Sequence, residues 1–148
     1  MEAVLFIGIP GSGKSSFYKE RFFSTHVRIN LDLLRTRRRE RRVLDTCLDT
    51  RQRFVIDNTN PTEEERLKYI VTAKAAGYSV IGYYFQSKVE DCLLRNSERP
   101  DRDRVPAVAV LAIAKKLQAP NRREGYDQLF YVRLKDKRFC VEEWRDEV

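Results

Sequence analysis

Histidine occurs once in this chain, at position 26, so a histidine-based metal cluster cannot be assembled from it. His26 alone reads as a surface or internally satisfied residue. Cysteine is nearly as scarce: Cys47, Cys92 and Cys140 are odd in number, scattered and without metal-site spacing. They fit a reducing compartment and serve as core or incidental thiols. No apolar run approaches the length of a membrane span, so no membrane partner is expected. The chain passes from Met1-Glu2 straight into an apolar strand, and no signal or transit peptide is expected. Internal repeats, low-complexity tails and linkers are also missing. The 148 residues are therefore expected to form a single domain, 1–148, with its own core and a cytoplasmic location.

What the chain has in excess is positive charge, with 29 Lys and Arg against 22 Asp and Glu and a net charge of +7. A positive field favours nucleotides and polynucleotides alike without choosing between them. Much of the excess lies in Arg35-Thr36-Arg37-Arg38-Arg39-Glu40-Arg41-Arg42. The run reads either as a solvated helix face or as a nucleic-acid contact. It contains no aromatics for base stacking, so phosphate attraction is the binding role open to it.

Residues 8 to 15, Gly8-Ile9-Pro10-Gly11-Ser12-Gly13-Lys14-Ser15, form a complete G-x-x-x-x-G-K-[ST] phosphate-binding loop. Glycines allow a tight turn that aims backbone N–H groups inward, lysine brings a cation to the β/γ-phosphates, and the serine hydroxyl can ligate Mg²⁺. The flanks agree, with a buried strand at 3–7 and a helix from Ser15 to Phe23 whose N-terminus favours anions. Further β-rich runs at 27–30, 54–57, 79–85 and 128–134 alternate with helical stretches. That alternation predicts an α/β fold of the P-loop NTPase type: a parallel sheet of about five strands with helices on both faces. Thr62 to Glu65 and Ser87 to Glu90 read as capping boxes, and Pro106 fits the first turn of a helix running to about Leu117. Residues 95–104 are arginine-rich and broken by Pro100, which predicts an exposed loop, a lid over about 95–105. A short extra strand around Phe139–Val141 is a weaker expectation.

Ligands on such sheets sit beyond the carboxyl ends of the strands. Asp32 follows the second strand and is the candidate base; it can also cap a helix beginning near Leu33, and both roles can coexist. Asp57 ends the third strand like a Walker B carboxylate, able to bind Mg²⁺ or to hold loop amides. Arg95 and Arg99 lie one helical turn apart and could close over a triphosphate, or form a solvated lid.

These residues together carry a resemblance. The chain resembles the P-loop phosphotransferase domain of polynucleotide 5′-kinases, of the phage and bacterial repair type. The resemblance rests on Gly8–Ser16, on Ile29-Asn30-Leu31-Asp32-Leu33-Leu34-Arg35, on Val55–Pro61 and on Arg95-Asn96-Ser97-Glu98-Arg99. It implies ATP as phosphate donor, Mg²⁺, and a 5′-OH end of DNA or RNA as acceptor. Gly11, Ser12, Gly13, Lys14, Ser15, Ser16, Arg95 and Arg99 would hold ATP, and Ser15 and Asp57 the metal. Asp32 would be the general base, with Lys14 and Arg99 completing the catalytic set. Asp32, Arg35, Asp57 and Asn60 would meet the acceptor. Analogy places the adenine near Pro120–Gly125, where Arg122 or Arg123 could stack on the base. The connection from Thr36 to Arg53 is shorter than in the phage enzyme, and any partner repair activity is expected to be on separate chains or absent. The alternatives are a small-molecule kinase of the same fold, acting on a nucleotide, sugar or other metabolite, and a non-catalytic ATP-binding module.

Overall fold

The apolar run Glu2–Ile7 forms the first strand, β1, buried from Ala3 onward. A strand that reads as continuously apolar is one covered by helices on both faces. In the computed structural model, which describes residues 1–145, it is followed by β2 (Val27–Ile29), β3 (Phe54–Ile56), β4 (Ser79–Phe85), β5 (Gln128–Lys135) and β6 (Arg138–Glu143). These form one six-stranded sheet in the order β2-β3-β1-β4-β5-β6. The first five pair in parallel, and β6 returns antiparallel along β5 with Val132 opposite Val141. The expected parallel strands are all present, about five as anticipated, and the antiparallel β6 is the extra strand expected around Phe139–Val141, somewhat longer than anticipated. That strand is mostly exposed, so it lacks the apolar run that marks the others.

The helices are α1 (Lys14–Arg21), α2 (Leu31–Leu34), α3 (Arg37–Asp49), α4 (Glu63–Ala75), α5 (Val89–Ser97) and α6 (Ala107–Lys116). Alternation along β1 divides the core. Ala3 and Leu5 face Leu44 and Cys47 of α3 and Tyr69, Ile70 and Ala73 of α4. Val4 and Phe6 face the other way, onto Phe17 and Tyr18 of α1 and onto Phe85 and Val132. Phe6 lies at the centre of this second layer, its ring 5.0 Å from that of Phe85 and 5.8 Å from that of Phe17. Each such buried side chain contributes about 1.5–3 kcal/mol. Among the described residues no helix is long and apolar enough to cross a membrane.

Caps follow the sequence in part. Thr62 Oγ1 accepts from the amide of Glu65 and opens α4 as expected. Ser87 does not cap α5, which has Lys88 at the cap position and no side-chain cap bond. Its hydroxyl accepts from Ile9 N at 3.2 Å and donates to Phe85 O at 2.9 Å, so a contact with the phosphate-loop motif wins over the local cap. Pro106 stands just outside α6, at its cap position. Residues 95–97 belong to α5, so the expected loop starts later than the charge pattern suggested. Strand order reverses at β1, with β3 on one side and β4 on the other. The crevice at that reversal, beyond the carboxyl ends, is where α/β sheets bind ligands.

Candidate active site

The loop 8–15 leaves β1 at this crevice and is held from both sides: Gly8 N donates to Thr59 O at 3.0 Å, and Ile9 N to Ser87 Oγ. Gly13 takes the cap position of α1 at φ +101°, and no side chain caps the helix. Its first-turn amides are thus left to an anion. Lys14 Nζ donates to Gly8 O at 2.9 Å and to Ile9 O at 3.0 Å. Burial pulls this ammonium from 10.5 down to about 8, with Asp57 opposing the shift and Arg99 adding to it. Ser12 Oγ is buried with no hydrogen-bond partner, whereas Ser16 is exposed.

Asp57, just past β3, is 1% exposed. Its Oδ2 accepts from Ser15 Oγ at 3.1 Å and from Arg28 Nε at 2.8 Å, and Arg28 Nη2 donates to Ser15 Oγ at 3.0 Å. Oδ1 is buried without a partner. A buried carboxylate oxygen with a free lone pair beside a serine hydroxyl suits a hard divalent cation, whose remaining ligands would be phosphate and water. Among the described residues no group of three or more His, Cys, Asp or Glu could hold a metal unaided.

Asp32 lies in α2, and the cap of that short helix is Asn30, whose Oδ1 accepts from Leu33 N at 2.9 Å. The expectation that Asp32 could cap this helix is therefore corrected, and its exposed carboxylate lines the crevice. Asn30 wins because its amide also donates to Asp57 O, which an aspartate could not do. A chain of bonds holds α2 in place: Leu31 N donates to Asn58 Oδ1 at 2.8 Å, and Asn58 Nδ2 to Glu40 Oε2 at 2.8 Å. Glu40, buried within the arginine run, also accepts from Tyr69 OH at 2.7 Å and Arg37 Nη1 at 3.1 Å. Burial and the Glu40 carboxylate together push the Tyr69 hydroxyl well above its usual range.

The crevice has a volume of about 300 Å³ and brings Lys14, Ser15, Asp32, Asp57, Asn60 and Arg99 to one lining. Asn60 contributes little free polarity, because its side-chain amide donates to Phe6 O at 2.7 Å. Arg35 does not reach the lining; it is exposed, ends α2 at φ +77°, and Arg37 lines the crevice in its vicinity. Arg95 also stays out, donating to Gly11 O at 2.6 Å and so bracing the loop from behind. Asn96 is buried and clamps Val105, accepting from its amide at 3.0 Å and donating to its carbonyl at 2.6 Å. The expected loop is therefore anchored at both ends by one buried asparagine. Arg122 Nη2 donates to Trp144 O at 2.7 Å, away from the crevice, and Arg123 is also outside the lining.

Sequence reasoning missed Arg28, Glu40, Asn58 and Arg66. Nothing in the pattern distinguishes a buried arginine or glutamate from its solvated neighbours in so charged a chain. Asn58 alone left a trace, inside the motif Val55–Pro61.

A family model described as an AAA domain matches residues 35–120, more than half of the chain, and the chain belongs to that family. It is 28% identical over 98% of its length to a bifunctional polynucleotide phosphatase/kinase of Schizosaccharomyces pombe, of which it spans 36%. It is 37% identical over 52% of its length to a putative bifunctional polynucleotide phosphatase/kinase of Acanthamoeba polyphaga mimivirus, spanning 18% of that protein. The chain thus corresponds to about a third or less of these relatives. An APS kinase of Mycobacterium tuberculosis, solved with AMPPNP and APS, superposes over 93% of the chain and 89% of its own at a TM-score of 0.57 and 18% identity, a likeness of fold.

Proposed function

We propose that this chain is a phosphotransferase that moves the γ-phosphate of ATP to a 5′-hydroxyl end of DNA or RNA. The observation that carries the reading is the convergence of Asp32, Lys14, Asp57 and Arg99 on one crevice at the strand-order reversal. The likeness to two polynucleotide phosphatase/kinases supports the choice of acceptor. Loop amides and the N-terminus of α1 would cradle the phosphates, with Lys14 turning from the Gly8 and Ile9 carbonyls to the β/γ bridge. Ser15 and Asp57 would hold Mg²⁺, which when bound neutralises charge on the phosphate oxygens. Asp32 would accept the proton of the acceptor hydroxyl as its oxygen forms a bond to the γ-phosphorus. The bond from that phosphorus to the bridging oxygen breaks, and ADP leaves with the electron pair. Arg99 would face the charge on the transferring group.

A second reading, a small-molecule acceptor, is favoured by the size of the crevice, about 300 Å³, which suits a nucleoside or sugar. Radiolabel transfer from ATP separates the two when 5′-OH DNA, 5′-OH RNA, nucleosides and sugars are offered in parallel. Label on the oligonucleotides, lost about 100-fold or more in Asp32→Asn, is expected. Label confined to a small molecule establishes the second reading, and no label on any oligonucleotide overturns the first.

A further inference from the structure

The guanidinium of Arg28 sits on the two side chains that the phosphate-loop motif and the β3 terminus offer to a divalent cation. Its Nε donates to Asp57 Oδ2 at 2.8 Å and its Nη2 to Ser15 Oγ at 3.0 Å. The arginine comes from β2, next to β3 in the sheet, and keeps 29% side-chain exposure, while the aspartate side chain keeps 1%. Its Cζ lies 6.0 Å from the Tyr18 ring centre, so an aromatic face borders the charge. A carboxylate buried this deeply requires a compensating cation. Arg28 supplies one, and it also takes a lone pair of the Ser15 hydroxyl, whose proton goes to Asp57 Oδ2 at 3.1 Å. One Ser15 lone pair and the unpartnered Asp57 Oδ1 remain for a metal.

We propose that Arg28 is a resident competitor of the divalent cation at the Ser15–Asp57 pair, and thereby sets metal affinity. The inference rests on the reading of Ser15 and Asp57 as metal ligands. A cation docking on the remaining Ser15 lone pair and on Asp57 Oδ1 meets a positive guanidinium within a few ångströms, and the two repel. Phosphate oxygens arriving at the loop offset that repulsion. Metal and nucleotide therefore bind as a unit, and the protein holds little metal without nucleotide. Without the metal, Arg28 keeps Ser15 and Asp57 in register, so the pair is pre-arranged. The carboxylate is never left uncompensated.

The test is ADP affinity by isothermal titration calorimetry, in excess EDTA and in MgCl₂, for wild type, Arg28→Met, Arg28→Gln and Arg28→Lys. Comparing each variant's Mg²⁺-dependent gain with the wild-type gain cancels Mg²⁺ binding to free ADP. The gain is expected to rise about tenfold in Arg28→Met and Arg28→Gln, because the competing charge is gone. Arg28→Lys keeps the charge and should stay within about twofold of wild type. Should one neutral variant fail to fold by circular dichroism, the other carries the comparison. An unchanged gain in the neutral variants overturns the proposal and leaves Arg28 a structural partner of Asp57. A wild-type gain no larger than that of Asp57→Asn and Ser15→Ala would instead overturn the metal-ligand reading beneath it.

Discussion

Arg66 is a fully buried guanidinium with no exposed surface, and replacing it gives a sharp test of how the loops around the crevice are held. Its Nε and Nη2 donate to the two carboxylate oxygens of Glu124 at 2.7 and 3.1 Å. Its Nη1 donates to Asn60 O and Gln118 O, each at 3.0 Å. One side chain thus ties α4 to the segment after β3 and to the two segments that follow α6. Arg66→Met keeps the bulk and removes the fork. Glu124, with its side chain 6% exposed, is then a stranded carboxylate, steadied only by Asn121 N at 2.9 Å and Tyr126 OH at 3.2 Å. Breaking a buried pair in this way costs about 3–5 kcal/mol. Each orphaned carbonyl adds up to about 1–3 kcal/mol, less whatever water entry recovers. An overall loss of about 4 kcal/mol is expected, a large share of a typical stability of about 5–15 kcal/mol. Urea unfolding reads it as a lower midpoint at constant slope. The double variant Arg66→Met/Glu124→Leu strands no charge and should lose about 2 kcal/mol less than Arg66→Met alone. A single variant within about 1 kcal/mol of wild type, or a double variant as unstable as the sum of its singles, would refute the reasoning.

Two further outcomes follow from the loop. Because burial lowers Lys14 from 10.5 to about 8, the unfolded chain binds more protons than the folded one between those values. The cost of the buried charge is therefore full below pH 8 and is relieved as pH rises to 10.5, so any stability advantage of Lys14→Met over wild type should shrink by about 3 kcal/mol across that window. A pH-independent difference in denaturation free energy would contradict it. The second outcome separates backbone strain from close approach. Gly11 (φ +86°) and Gly77 (φ +82°) share a left-handed conformation, but a methyl on Gly11 would run into the Cys92 carbonyl, while one on Gly77 would meet nothing nearer than Arg51 Nη1 at 4.0 Å. Gly77→Ala should cost about 1 kcal/mol, and Gly11→Ala about 1–3 kcal/mol more. Equal midpoints in urea would sink the claim that α5 presses against the loop.

The sheet was legible because its signal is physical and local: a run such as Ser79–Phe85, mostly apolar and between helices, has few other places to go. The phosphate loop was legible because the motif states backbone and cation requirements together. Legibility failed wherever several residues could do one job. Asn30 and Asp32 both have cap chemistry, and the choice fell to Asn30 because its amide also bonds Asp57 O at 2.5 Å, a contact made across the sheet. Ser87 is a good cap on paper, yet Ile9 N, far away in sequence, claims its oxygen. The text around Asn96 is highly charged and reads as solvated throughout, but the one uncharged amide in it turns inward onto Val105.

Arginine placement decides what the positive charge can do. Arg28 and Arg66 are bound to buried carboxylates, and Arg95 donates to a loop carbonyl, so the charge of these three is already engaged within the protein. Arg38, Arg39, Arg41 and Arg42 remain exposed along α3. Arg41 there pairs with Asp45 at 2.9 Å, a surface pair that leaves most of the field intact. The helix that carries them is fixed through Glu40, which reaches Asn58 and through it Leu31, the neighbour of Asp32. The exposed arginines of α3, with their positive field, and the candidate base are therefore held in one framework, through Glu40, Asn58 and Leu31. Such a field speeds the approach of any anion. Arg37 of α3 lines the crevice, but an acceptor reaching Arg38, Arg41 or Arg42 while its hydroxyl meets Asp32 would need phosphates outside it. A dependence of phosphoryl transfer on acceptor length would therefore set a polynucleotide end apart from a small molecule of equal fit within the crevice.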